Sequence, residues 1–293
     1  MATKSLVLPL VVIVGPTASG KTGLAIEQAA QCGGEIICAD SRTIYRNMDI
    51  GTAKPSQAEQ ARVPHWGLDL VDPGDYFSAA DFKAYAIEKI AEIRARGHVP
   101  FLAGGTGLYI DAVVFDYQFG QSVDNVRRQE LQRMTLSQLY DYCKKDNITL
   151  PENYKNKRYV IRSIESHGSQ PQKRATPLEQ TIIVGIATEK TILRSRIELR
   201  SEQLFEDSVV NEAKMLGEKY GWESEAMKSN IYPLIHQYLD GTMTLGDVKN
   251  RFITLDWRLA KRQMTWLRRN SFIHWLSLDD AQKYLADQLA IYR

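Results

Sequence analysis

Short apolar runs alternate with longer amphipathic ones through the first third of the chain. LPLVVIVG (residues 8–15) has no polar face, as expected of a strand buried on both sides, and it feeds a Gly-rich loop. KTGLAIEQAAQ (21–31) spaces its apolar residues as a helix does. GGEIICAD (33–40) reads as a strand, and FSAADFKAYAIEKIAEIRARG (77–97) as a helix that Ser78 caps and Gly97 closes. HVPFLAGG (98–105) is a further strand, followed by TGLYIDAVV (106–114). Strands of this kind alternating with helices predict an α/β protein whose parallel sheet is covered on both faces.

The texture changes after about residue 116. From DNVRRQELQRM (124–134) to NKRYVIRSIESHG (156–168) the pattern is helical, polar and basic, and GSQPQKRATP (168–177) reads as a linker. TIIVGIA (181–187) restores a strand, EKTILRSRIELRSEQLF (189–205) makes a long charged helix, and more helices follow to about 269. FIHWLSL (272–278) is a candidate last strand. The expected organisation is a core of residues 1–116 and 179–293, interrupted by a helical insertion at 117–178.

Composition and charge refine this picture. With 44% hydrophobic and 25% charged residues the chain is of ordinary globular type. No apolar run is long enough for a transmembrane helix, so no membrane partner is expected. The N-terminal lysine and apolar run resemble a secretory leader, but cleavage there would remove the strand that the following loop needs. The cysteines Cys32, Cys38 and Cys143 are odd in number and form no C-x-x-C pair, which fits a reducing cytoplasm. The formal net charge of +2 is unevenly spread, for residues 111–200 hold 15 basic against 11 acidic residues, a local excess of four. Such an excess fits either a polyanion partner or a solvated helical surface.

GPTASGKT (Gly15, Pro16, Thr17, Ala18, Ser19, Gly20, Lys21, Thr22) matches G-x-x-x-x-G-K-[ST], the phosphate-cradling loop. Its glycines let the backbone curl so that N–H groups point inward, Lys21 adds a positive charge expected to be fixed, and the Thr22 hydroxyl suits Mg²⁺. In CADSRTIYRNMDIGTAKP (38–55), Asp40 ends a predicted parallel strand, where it faces the crevice of the phosphate loop. A carboxylate there serves as a magnesium ligand, a general base or a turn cap. AGGTGLY (103–109) ends another strand and offers the Thr106 hydroxyl. Arg196 and Arg200 share one helix face, suited to phosphate or to pairing with Glu198 and Glu202. In the insertion, Arg158 and Arg162 share a face beside Lys155 and Lys157, with Tyr154 and Tyr159 interleaved, as suits RNA or a solvated surface. DWRLAKRQMTWLRRN (256–270) combines tryptophans with a basic helix end.

Together these stretches resemble the bacterial tRNA dimethylallyltransferase (tRNA isopentenyltransferase) family from about residue 10 to residue 276. The matching motifs are GPTASGKT, CADSRTIYRNMDIGTAKP, VPHWGLDLVDP, YFSAADF, AGGTGLY, NKRYVIRSIE, RIELR and LAKRQMTWLR, in family order. The resemblance implies a P-loop NTPase-like parallel sheet flanked by helices, with a helical tRNA-binding insertion domain. It implies transfer of a dimethylallyl group from dimethylallyl diphosphate to N6 of the adenine 3′ of the anticodon. By the same resemblance Asp40, Thr106 and Arg196 are catalytic, and residues 15–22 with Arg196 bind the diphosphate. Asp40, Ser41, Arg42, Thr43, Arg127, Lys157, Arg158 and Arg162 meet the tRNA anticodon stem-loop, and Mg²⁺ sits on Thr22. A cytoplasmic monomer is expected.

The sequence departs from the family pattern in four places. VPHWGLD has one histidine where many members have two, and Tyr159 stands where arginine is common. Tyr232 lacks its usual preceding glycine and the basic and acidic residues after it. Asp256 and Trp257 replace a usual Thr-Arg. The competing readings are an adenylate isopentenyltransferase acting on free AMP, ADP or ATP, a P-loop kinase for a small metabolite, and a non-catalytic RNA-binding relative. The first needs no basic insertion, and the second leaves MDIGTAKP unexplained.

Overall fold

A computed structural model describes residues 7–119, 125–168, 172–206 and 208–292. The leader-like start and the middle of the 168–177 linker lie outside them. The chain divides into two compact units, Met1–Val114 with Pro177–Arg293, and Phe115–Thr176. Each boundary lies close to the change of texture in the sequence.

The larger unit is built on six strands. β1 (Leu10–Val14) leads through the phosphate loop to α1 (Lys21–Cys32) and β2 (Glu35–Ala39). α2 (Gln57–Arg62) and β3 (His65–Trp66) precede α3 (Ala79–Ala95), β4 (Pro100–Gly104) and α4 (Gly107–Val114). The smaller unit contributes α5 (Asn125–Arg133), α6 (Leu136–Lys145) and α7 (Lys157–Glu165). Then come β5 (Thr181–Ile186), α8 (Lys190–Glu206), α9 (Val209–Tyr220), α10 (Tyr232–Leu239), α11 (Leu245–Leu267), β6 (His274–Leu276) and α12 (Leu278–Leu289).

The strand order is β3-β2-β4-β1-β5-β6, and every pairing is parallel. β1, β2 and β4 are buried at every position, which is why they read as unbroken apolar runs. Parallel strands expose all their C-terminal ends on one edge. That edge carries the phosphate loop after β1, Asp40 after β2 and Thr106 after β4.

Two apolar clusters support it. One joins α1 and α12 to the sheet through Leu24, Ile26, Val11, Ile13, Ala281 and Leu285. The other seats Ile44, Tyr45 and Met48 of the segment after β2 against Leu216, Tyr232 and Phe252. The α3 cap is the expected one: Ser78 and Asp81 form a reciprocal capping box, and Gly97 adopts φ 78° just beyond the last turn. α12 went unread in the sequence, although Ser277 caps it and Ala281, Leu285 and Leu289 repeat every four residues on its buried side.

The smaller unit has its own core of Leu131, Leu139, Cys143, Val160, Ile161 and Ile164. An Arg128–Glu165 pair, with both contacts at 2.6 Å, is tucked into it.

Candidate active site

The phosphate loop folds as the sequence anticipates. Gly20 sits at φ 92° and Ala18 at φ 61°, so the chain reverses sharply before α1 begins at Lys21. The first N–H groups of a helix have no intrahelical partner and therefore suit an anion. Pro16 O accepts from the Ser19 amide at 3.2 Å and from Lys21 Nζ at 3.2 Å. Thr22 is exposed in the first turn.

Lys21 is a weaker base than an ordinary lysine, though still mostly charged at neutral pH. Burial lowers its pKa to about 8, with the Asp40 carboxylate pulling it up and the Arg200 guanidinium pushing it down. The same influences place Lys21, Asp40 and Arg200 within one electrostatic neighbourhood. Burial also pushes the Cys38 thiol up to about 12, so it stays protonated at neutral pH.

Asp40 and Thr106 meet because β2 and β4 are neighbours in register, Ala39 opposite Gly104. A Cβ on Gly104 would stand 2.1 Å from Ala39 O, so only glycine allows this approach. The Thr106 amide donates to Ala39 O at 3.2 Å, and its Oγ1 accepts from Ser41 N at 3.0 Å. Asp40 Oδ1 accepts from Arg42 N at 2.9 Å, a local turn that orients the half-buried carboxylate. Arg42 in turn donates to Glu225 O at 2.9 Å, and Thr43 is buried beside Asp40 O.

Of the three arginines of RSRIELR, Arg196 and Arg200 reach the phosphate loop. Arg196 Nη1 donates to Ser19 O at 3.0 Å, and Arg200 Nη1 donates to Thr17 Oγ1. Glu198 and Glu202 pair elsewhere, with Arg194 and Lys249. Both arginines thus turn to the loop and not to Glu198 or Glu202.

Three residues support this arrangement: Gln263 and Glu212, which the sequence does not single out, and Asp256, which stands out there only as a departure from the family pattern. Gln263 Oε1 accepts from Thr17 N at 2.8 Å, and its side chain lies against Gly105. Its only signal was membership in LAKRQ. Asp256 is buried behind Arg200. Glu212 accepts from three successive amides, Asp49 at 2.8 Å, Ile50 at 2.7 Å and Gly51 at 2.8 Å, and from Tyr232 Oη at 2.8 Å. It ties down the MDIG turn of the segment that begins at Asp40. No local pattern marks Glu212, because its three amide partners are 161–163 residues away and Tyr232 is 20 away.

Further along α11, Trp266 Nε1 donates to Asp111 Oδ2 at 2.7 Å, and its ring covers Gly107. Lys261, Arg262, Thr265, Trp266 and Arg269 line an open cleft there.

In the smaller unit, Arg158 and Arg162 are exposed one turn apart on α7. Lys157 Nζ donates to Gln132 O at 2.6 Å. Arg127 is exposed, lies over the Tyr142 ring and donates to Tyr142 Oη.

Comparison with known proteins places this geometry. A family model described as IPP transferase matches residues 43–270. The chain is 40% identical to the tRNA dimethylallyltransferase of Desulforudis audaxviator, over 93% of each chain. It is 35% identical to that of Bacillus cytotoxicus, over 94% of this chain and 92% of the relative. Its structure resembles the full-length tRNA isopentenylpyrophosphate transferase of Bacillus halodurans, with a TM-score of 0.73, 33% identity and 97% of both chains covered. A sheet edge that gathers this phosphate loop, Asp40 and Thr106, in a chain so matched along its length, shows that the protein belongs to the IPP transferase family.

Proposed function

We propose that this chain is a tRNA dimethylallyltransferase. It moves a dimethylallyl group from dimethylallyl diphosphate to N6 of the adenine 3′-adjacent to the tRNA anticodon and releases diphosphate. The observation that carries this reading is the convergence of the phosphate loop, two arginines, Asp40 and Thr106 on one sheet edge, in a member of this family.

The C1–O bond of the donor breaks, and its electron pair leaves with the diphosphate. Developing positive charge on an allylic carbon is tolerable when the leaving group is neutralised. The loop amides, Lys21, Arg196 and Arg200 supply that stabilisation from fixed positions. The exocyclic amine forms the new C–N bond at C1. Asp40 accepts the proton that the amine loses, and the Thr106 hydroxyl, fixed by Ser41 N, borders the same space. The target adenine must leave its stack to enter the crevice.

A magnesium ion fits the donor set. The exposed Thr22 hydroxyl is a hard oxygen ligand, and diphosphate oxygens and water complete such a sphere. When bound, the ion neutralises charge on the leaving diphosphate.

Residues 117–178 form the tRNA-binding arm in this reading. Arg158 and Arg162 offer two exposed cations one helical turn apart, and Arg127 and Lys157 add charge to the same unit. Asp40–Thr43 meet the anticodon stem-loop beside the reacting base. The enzyme acts as a monomer in the cytoplasm, and a reducing compartment is in keeping with three buried cysteines that form no disulfide.

The test incubates the protein with dimethylallyl diphosphate, Mg²⁺ and either an anticodon stem-loop or AMP. Prenylation of the stem-loop is expected. Prenylation of AMP alone, or phosphate transfer from ATP with no prenylation, would sink the proposal. Asp40→Ala should lower kcat at least about a hundredfold while changing tRNA affinity far less.

A further inference from the structure

Behind the phosphate loop lies a buried acid that the reaction above does not use. Asp256, on α11, is 3% exposed. Its Oδ1 accepts from Asn230 Nδ2 at 2.8 Å. Its Oδ2 is buried and makes no hydrogen bond, although Arg200 Nη1 is only 3.8 Å away. That same Nη1 donates to Thr17 Oγ1 in the phosphate loop, while the buried Nε of Arg200 is unbonded.

The guanidinium is therefore shared. It is close enough to Asp256 for strong attraction, yet its hydrogen bond goes to the loop. A charge-assisted N–H···O contact closes to about 2.8 Å, so a shift of roughly 1 Å would convert the present geometry into a full ion pair. A buried carboxylate oxygen left unpaired is costly, which gives that shift a driving force. Asp256 is also one of the places where the chain departs from the family pattern, which has threonine there.

We propose that Asp256 is a positioning residue that competes with diphosphate for Arg200, and so sets how tightly the phosphate loop holds the leaving group. This rests on the loop being a diphosphate site. Free diphosphate carries more negative charge than the same group esterified in the donor. A counter-charge behind Arg200 therefore weakens product retention more than donor binding, and it returns Arg200 to the loop for the next turnover.

Magnesium diphosphate is titrated calorimetrically into the wild type, Asp256→Asn and Asp256→Glu, and product inhibition is measured in parallel. Asp256→Asn removes the competing charge and should tighten diphosphate binding about three- to tenfold, with a matching fall in the inhibition constant. Asp256→Glu keeps the charge on a longer arm, closes the gap to Arg200 and should weaken binding. Opposite signs are the signature of competition, because a merely structural aspartate would weaken binding in both variants. Loss or no change in Asp256→Asn overturns the proposal. Should that variant not fold, Asp256→Thr replaces it with the same expectation. In an Arg200→Gln background the Asp256→Asn change should have no effect, and a persistent effect also overturns the proposal. If the wild type itself binds no diphosphate, the reading of the loop fails first and takes this inference with it. Equal affinity of wild type and variants instead refutes the role of Asp256 alone.

Discussion

Lys21 carries the strongest pH signal of the site. With a pKa of about 8, set by burial and offset by Asp40, it is an ammonium below that value and neutral above it. The donor should bind well below pH 8, and kcat/KM for dimethylallyl diphosphate should fall as pH rises through about 8. Lys21→Arg, which stays charged, should abolish that alkaline limb even if activity drops. A pH profile of kcat/KM at low donor concentration reads both. Glu212 works at the same scale. Glu212→Ala leaves three buried or half-buried amides and the Tyr232 hydroxyl without their acceptor. Urea unfolding should show a loss of about 2–4 kcal/mol, and KM for tRNA should rise as the segment after Asp40 loosens.

Among the elements, the β2–β4 seam does most to assemble the site. Asp40 and Thr106 share a crevice only because Gly104 lets β4 lie against Ala39. A methyl group on Gly104 would push against a backbone carbonyl rather than a movable side chain. Gly104→Ala should therefore cost about 1–3 kcal/mol of stability and lower turnover, because the two strand ends part. Denaturant melts with parallel activity assays check it. α11 acts as a brace across this edge. Gln263 holds the Thr17 amide, Asp256 faces Arg200, and Trp266 covers the start of α4. β3 is two residues long, too short to carry a period-2 pattern, so the sequence predicts no strand there.

For the molecule as a whole, β2 joins two kinds of chemistry. Asp40 follows its C-terminal end, while Glu35 at its other end is buried under Arg96, His98 and Trp66. Burial opposes ionisation of Glu35, but hydrogen bonds from those three partners outweigh it and hold the carboxyl at about 2. The folded value lies below the ordinary glutamate value. The stability it supplies is thus fully present above about pH 4.5 and lost as pH falls through about 2. Glu35→Gln should flatten the acid side of the stability curve in that window while leaving the Asp40 chemistry in place. The smaller unit predicts a different separation. Alanine at both Arg158 and Arg162 should weaken tRNA binding and reduce the slope of log K against log salt by about 2, with KM for the donor unchanged.

The sequence by itself determined the parallel α/β frame, the phosphate loop, the placement of Asp40 and Thr106 at strand ends, and a basic helical interruption. Each of these is written in stretches of a few to about twenty residues, where periodicity, glycine spacing and caps act locally. Only the tertiary structure decided that Arg196 and Arg200 turn to the loop and not to Glu198 and Glu202, and that burial lowers the Lys21 pKa to about 8. The same holds for Glu212, Asp256 and Gln263. Such contacts join residues as far apart as Thr17 and Gln263, 246 positions away. Their strength comes from burial and from the competition of neighbouring charges, which exist only once the helices have packed against the sheet.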